Sequence, residues 1–107
     1  MAPRRREVVW AQRARQAVDD ALAYIADRSP QSASQLATRI LEQADSLVTF
    51  SERGRIVPEV GDPTLGELLI DPFRLMYEVS EGEVQIVGFL HQRQIFSPGD
   101  KRSRPIR

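Results

Sequence analysis

The sequence predicts an α+β domain: a first strand, an antiparallel helix hairpin, then a three-stranded antiparallel meander forming one small sheet. Three observations carry this. Two consecutive segments, Gln12 to Arg28 and Pro30 to about Phe50, place apolar residues at helical spacing and meet at Ser29-Pro30. Beyond Gly54 the apolar period changes from helical to alternating. Two turn signals, Asp71-Pro72 and Glu81-Gly82, cut the last third of the chain into pieces of strand length.

Glu7 to Trp10 is short and β-branched, which suits a first strand. In the first helical segment Ala14, Ala17, Val18, Ala21, Leu22 and Ile25 share one face. Ser29 is a favoured N-cap and Pro30 a favoured first helical residue, so one helix ends where the next begins. The second carries Ala33, Leu36, Ala37, Ile40, Leu41, Ala44, Leu47 and Val48 as one stripe. With almost no loop between them the helices must run antiparallel. Arg55 to Val57 reads as a brief extended segment, and the PEVGDP loop follows. Strands are expected over Leu65–Ile70, Phe73–Val79 and Val84–Leu90.

A chain of 107 residues holds one modest core. The expected organisation is a flexible basic tail over 1–6, a single domain over 7–96 and a second flexible basic tail over 97–107. There is no cysteine, which excludes disulfides and thiolate metal sites, and one histidine cannot build a zinc site with its usual partners. No phosphate loop is present, so neither a metal nor a cofactor is expected. The basic start lacks the apolar run of a secretory signal, and no apolar stretch approaches the ~20 residues of a membrane span. A cytoplasmic protein is expected, with no membrane partner.

Neutral overall charge hides a division. Arg4, Arg5, Arg6, Lys101, Arg102, Arg104 and Arg107 lie in the tails; residues 7–100 hold eight positives against fifteen acids, near −7. A folded face that grips nucleic-acid phosphates should be basic. This body is acidic.

Hairpin geometry assigns side chains to faces. A turn at Glu81-Gly82 sets Val79 opposite Val84, Tyr77 opposite Ile86 and Leu75 opposite Gly88. Phe73, Leu75, Tyr77, Val79, Val84, Ile86 and Leu90 then face the helices. The opposite face carries Arg74, Met76, Glu78, Gln85, Val87, Phe89 and His91, with Arg74 paired to Phe89 and His91 diagonal to it, about 7–8 Å away. A two-residue turn at Asp71-Pro72 sets Arg74 opposite Leu69 with Glu67 on the diagonal. Glu67, Arg74 and His91 are therefore expected to meet on a solvated face, where a Glu67–Arg74 ion pair would contribute only ~0–1 kcal/mol. Trp10 is expected to anchor the core or a strand edge.

The chain resembles the RelE/ParE family of bacterial type II toxin–antitoxin toxins over roughly residues 7–93. The likeness rests on the helix hairpin with YIADRSP at its bend, on SERGRIVPEVGDPTLGELLI, on PFRLMYEV and on VQIVGFLHQR. Motifs usual in ParE-like members stand here as Gly54-Arg55, Gly66-Glu67, Phe73-Arg74-Leu75-Met76-Tyr77 and His91-Gln92-Arg93. Gly66 replaces a usual arginine and Phe73 a usual tyrosine.

The resemblance implies a cognate antitoxin whose C-terminal segment, disordered alone, folds on the toxin by laying a helix in a groove and adding extended backbone along the body. It implies one of two targets. The endoribonuclease branch cuts messenger RNA on the ribosome with acid–base groups and cations; here its residues would be Glu67, Arg74 and His91. The histidine and tyrosine that close one such sub-branch fall on Gln92 and Arg93, leaving His91 one residue early, and such a shift turns a side chain over. The other branch poisons DNA gyrase and needs no catalytic trio. The displaced histidine and the acidic body point to the gyrase branch. Arg55, Glu67, Arg74, Phe89, His91 and Arg93 are the expected contacts for target or antitoxin. A degenerate antitoxin-binding member and a non-enzymatic adaptor are the other classes, separable by whether expression alone arrests growth.

Overall fold

The computed structural model describes residues 5–96. Its elements follow the expected order: β1 (Glu7–Trp10), α1 (Gln12–Ala26), α2 (Pro30–Ser46), β2 (Arg55–Ile56), β3 (Leu65–Ile70), β4 (Phe73–Val79) and β5 (Glu83–His91). The sheet is larger than the three-stranded meander. Its order is β1-β5-β4-β3-β2, with β1 parallel to β5 and β2 antiparallel to β3. The outer strands are too short to announce their partners, so pattern alone could not place them in the sheet.

Ser29 caps α2 as expected, its Oγ accepting from the Ser32 N–H at 3.1 Å. The helix stops at Ser46, short of the expected Phe50. Its last turn tightens, with Leu47 and Val48 N–H bonding the Ala44 and Asp45 carbonyls, and Arg6 N–H takes the Val48 carbonyl at 2.8 Å. Arg6 also donates from Nε to the Ser80 carbonyl at 2.8 Å and from Nη1 to Ser51 Oγ at 2.7 Å. Arg5 reaches Thr49 Oγ1. These two arginines of the proposed N-terminal tail are thus tied to the body, while 1–4 and 97–107 lie outside the described residues.

Both helices cover one face of the sheet. Ala14, Val18, Leu36, Ile40, Ala44 and Leu47 pack there against Leu68, Ile70, Leu75, Tyr77, Val84, Ile86 and Phe89. Trp10 packs against the rim of this core, as expected. The other face is not solvated: Val57, Leu65, Met76, Val87 and Phe96 form a second buried cluster, with Val60 and Leu90 beside it. The loop after β2 and the segment after β5 close over that side.

One irregularity decides which residues share a face. Near its turn the β4–β5 ladder has the expected register, Val79 with Val84 and Tyr77 with Ile86. Between Met76 and Tyr77 it shifts, so Met76 faces Gly88, Leu75 faces Phe89, Arg74 faces Leu90 and Phe73 faces His91. Val87 is the extra residue of a β-bulge, and everything beyond it turns over. Gly88 suits this place, because a Cβ there would stand 3.2 Å from the Phe96 ring. Phe89 is therefore core, not the outer-face residue expected, and Leu90 is the reverse.

Candidate functional site

Four charged side chains converge on the face away from the helices. β3 supplies Glu67, β4 supplies Arg74, β2 supplies Arg55, and the loop after β2 brings Glu59. The Asp71-Pro72 turn sets Leu69 opposite Arg74, which leaves Glu67 on the diagonal as expected. Arg74 donates from Nε to Glu67 Oε1 at 2.8 Å, and Arg55 donates from Nε to Glu67 Oε2 at 2.5 Å. Arg74 also donates from Nη1 to Glu59 Oε2 at 2.8 Å, from Nη2 to Glu59 Oε1 at 2.7 Å, and from Nη1 to the Gln94 carbonyl at 2.7 Å. The Phe96 N–H donates to Glu59 Oε2 at 2.8 Å.

Burial reverses the expected weight of this pair. The Glu67 and Arg74 side chains are 0% and 6% exposed, so the ion pair is an interior one, not a screened surface contact. Removing one partner of such a pair strands the other charge and costs about 3–5 kcal/mol. The Arg74 guanidinium holds Glu59 at a pKa of about 2, with the Phe96 N–H adding to the effect and partial burial opposing it. The same Glu59 bonds, with those of Glu67, push Arg74 further up against its burial. All three guanidinium nitrogens of Arg74 are committed to protein acceptors. Its role in this structure is to join β3, β4, the loop after β2 and the segment after β5.

His91 is not part of the cluster. Its ring meets Phe73 edge-on with centroids 5.9 Å apart, and Phe73 stacks on Phe89 at 4.7 Å. Since Phe73 and Arg74 are neighbours on a strand, they point to opposite faces, and His91 goes with Phe73. The expected convergence of Glu67, Arg74 and His91 therefore fails at its third member, and Glu59 and Arg55 stand there instead. Arg93 is exposed, its N–H donating to His91 Nδ1 at 3.2 Å. Arg55, 58% exposed, is the cluster's one charged side chain that reaches well into solvent.

Tyr77 lies under the helices, as its parity predicts, and is 2% exposed. Burial pushes its phenol up, while the Gly54 N–H, donating to it at 2.9 Å, acts in the opposite sense. The ring lies over two glycines. A Cβ at Gly66 would stand 2.7 Å from Cζ, and one at Gly54 would stand 2.4 Å from the hydroxyl. In this chain any side chain at Gly66 would therefore crowd the Tyr77 ring. Beside this ring opens a cleft of about 350 Å³, and a groove of about 310 Å³ lies between Trp10 and the two helices. Among the described residues no three His, Cys, Asp or Glu side chains are grouped to hold a metal ion. No helix there is long and apolar enough to cross a membrane.

Two helices packed on one face of a mixed five-stranded sheet thus carry Gly54-Arg55, Glu67 and Arg74. Residues 8–96 match the family described as the ParE toxin of type II toxin–antitoxin system, parDE. The chain is 36% identical over 90 residues to Toxin RelE2 of Caulobacter vibrioides, covering 83% of this chain and 98% of that protein. It superposes on a chain of the chromosomal ParDE toxin–antitoxin system from P. aeruginosa with a TM-score of 0.65 at 22% identity, covering 80% of this chain and 95% of that one. The chain belongs to the RelE/ParE toxin family. Membership implies an antitoxin as partner.

Proposed function

We propose that this toxin arrests growth by poisoning DNA gyrase, and that its cognate antitoxin relieves the arrest. The observation that carries the reading is the edge-on contact of His91 with Phe73 at 5.9 Å. It puts the histidine on the opposite side of the sheet from Glu67 and Arg74, and those two are spent on each other and on Glu59. A ribonuclease needs a proton donor and acceptor poised beside a cation at the scissile phosphate. Among the described residues Glu67, Arg74 and His91 are not gathered into that group. The acidic body, eight positives against fifteen acids over residues 7–100, also suits a protein target better than a polyanion.

The second reading is a ribosome-dependent mRNA endoribonuclease of the RelE type, favoured by the 36% identity to a protein carrying that name. The two separate on order of events after induction. Under the gyrase reading, pulse labelling shows DNA synthesis falling first, and co-expressed antitoxin restores it. Immediate collapse of protein synthesis, with messages cut at codon boundaries, belongs to the ribonuclease. Unchanged growth with soluble toxin present would mark a degenerate, antitoxin-binding member.

A further inference from the structure

We infer that the cleft beside Tyr77 binds a small free carboxylic acid with an apolar body. Its carboxylate takes the hydroxyl protons of Ser51 and Tyr77, and its body lies between Ile56, Pro63 and Val79. The inference depends on neither the antitoxin nor the identity of the target.

Two buried hydroxyl side chains line this cleft of about 350 Å³, Ser51 at 3% exposed and Tyr77 at 2%. Each already accepts one hydrogen bond: Ser51 Oγ from Arg6 Nη1 at 2.7 Å, and the Tyr77 hydroxyl from the Gly54 N–H at 2.9 Å. A hydroxyl also has a proton to donate. Among the described residues neither of these two protons meets an acceptor. Buried polar groups are nearly always paired, so two unspent donors on the wall of one cleft require something that accepts.

Charge decides which acceptor. Arg6 is half-buried and donates to the Ser80 carbonyl and to Ser51, but among the described residues to no carboxylate. Its positive charge stands behind the Ser51 hydroxyl without a counter-ion. A hydroxyl that accepts from a guanidinium is itself polarised into a stronger donor. Water takes up the two protons but brings no charge to Arg6. A carboxylate does both, since it accepts only and offers about four lone-pair sites. Glu52 also lines the cleft and opposes an anion there, but it is exposed and its charge is screened. The remaining wall of Ile56, Pro63, Val79 and the Tyr77 ring is apolar, which suits an organic acid better than a bare inorganic ion. A dry cavity of about 150 Å³ holds a benzene ring. The cleft of about 350 Å³ therefore has room for a ring with its acid group.

The test titrates benzoate into the full-length chain and follows amide signals residue by residue by NMR. Shifts should saturate at Gly54 and Val79 with a Kd on the order of 1 mM. Benzyl alcohol, of similar size but without charge, should bind at least about tenfold more weakly. Ser51→Ala should weaken benzoate binding about tenfold. Tyr77→Phe should do the same, and if it does not fold, Ser51→Ala carries the test alone. Glu52→Gln, an exposed change that removes the opposing charge, should tighten binding about two- to fivefold. Equal binding of benzyl alcohol or of inorganic phosphate overturns the class of ligand. Shifts that never saturate, or that are unchanged in Ser51→Ala, overturn the site and leave the two hydroxyls to water.

Discussion

Glu59 grips Arg74 through two parallel hydrogen bonds of 2.8 and 2.7 Å, and so ties the loop after β2 to the middle of the sheet. The same carboxylate accepts the Phe96 N–H, while Arg74 reaches the Gln94 carbonyl. One ion pair thus fastens both segments that roof the second core.

Arg74→Ala should destabilise the fold by about 3–5 kcal/mol, because it leaves the buried Glu67 carboxylate without its main interior partner. Equilibrium unfolding in urea measures this. A loss under about 1 kcal/mol would return Arg74 to the status of an exposed charge.

The Glu59 contribution should depend on acid in a defined window. Its carboxyl sits at about 2 in the fold against an ordinary 4.5, so folding favours the ionised form. The stabilisation is complete above about pH 4.5 and is lost as the pH falls toward about 2. Glu59→Gln should be less stable than wild type at neutral pH, and the gap should close across that window. A gap independent of pH would mean that the pair is not what Glu59 contributes.

Tyr77 and its glycines should respond as a unit. Tyr77→Ala should cost about 3–5 kcal/mol, as aromatic truncations in cores do. Tyr77→Phe should cost about 1–3 kcal/mol by stranding the Gly54 N–H. Gly66→Ala should cost about 1–3 kcal/mol by crowding the ring. Thermal melts of the three variants rank them, and a neutral Gly66→Ala would show that the ring yields.

His91→Ala should keep full toxicity and lose no more than about 1 kcal/mol of stability, since the ring is half-buried against Phe73 and remote from the charged cluster. A folded, soluble His91→Ala without toxicity would restore the histidine to a functional role.

Much of this molecule could be read from residue spacing. Ser29-Pro30 fixed the helix junction, and the two turns fixed β3 against β4 and the start of β4 against β5, which is why the Glu67–Arg74 pair and the burial of Tyr77 were foreseeable. A single register does not run the length of β5, because a glycine lies inside the strand. Gly88 was the signal, since an interior glycine marks a bulge or a close approach, and here it marks both. A ladder drawn without the bulge places Phe89 and His91 on the outer face, whereas the bulge turns both toward the helices. Glu59 could not be placed because a loop residue has no register, and Phe96 could not because one aromatic after the last strand shows no period. Without those two the outer face reads as solvated, and the burial of Arg74 is invisible.

Purified full-length toxin, titrated into DNA gyrase with relaxed plasmid and ATP, tests the central claim most directly. The account predicts dose-dependent loss of supercoiling with accumulation of gyrase-bound cleaved DNA, both reversed by the antitoxin. Normal supercoiling at all doses, together with cleavage of message on purified translating ribosomes, would contradict it.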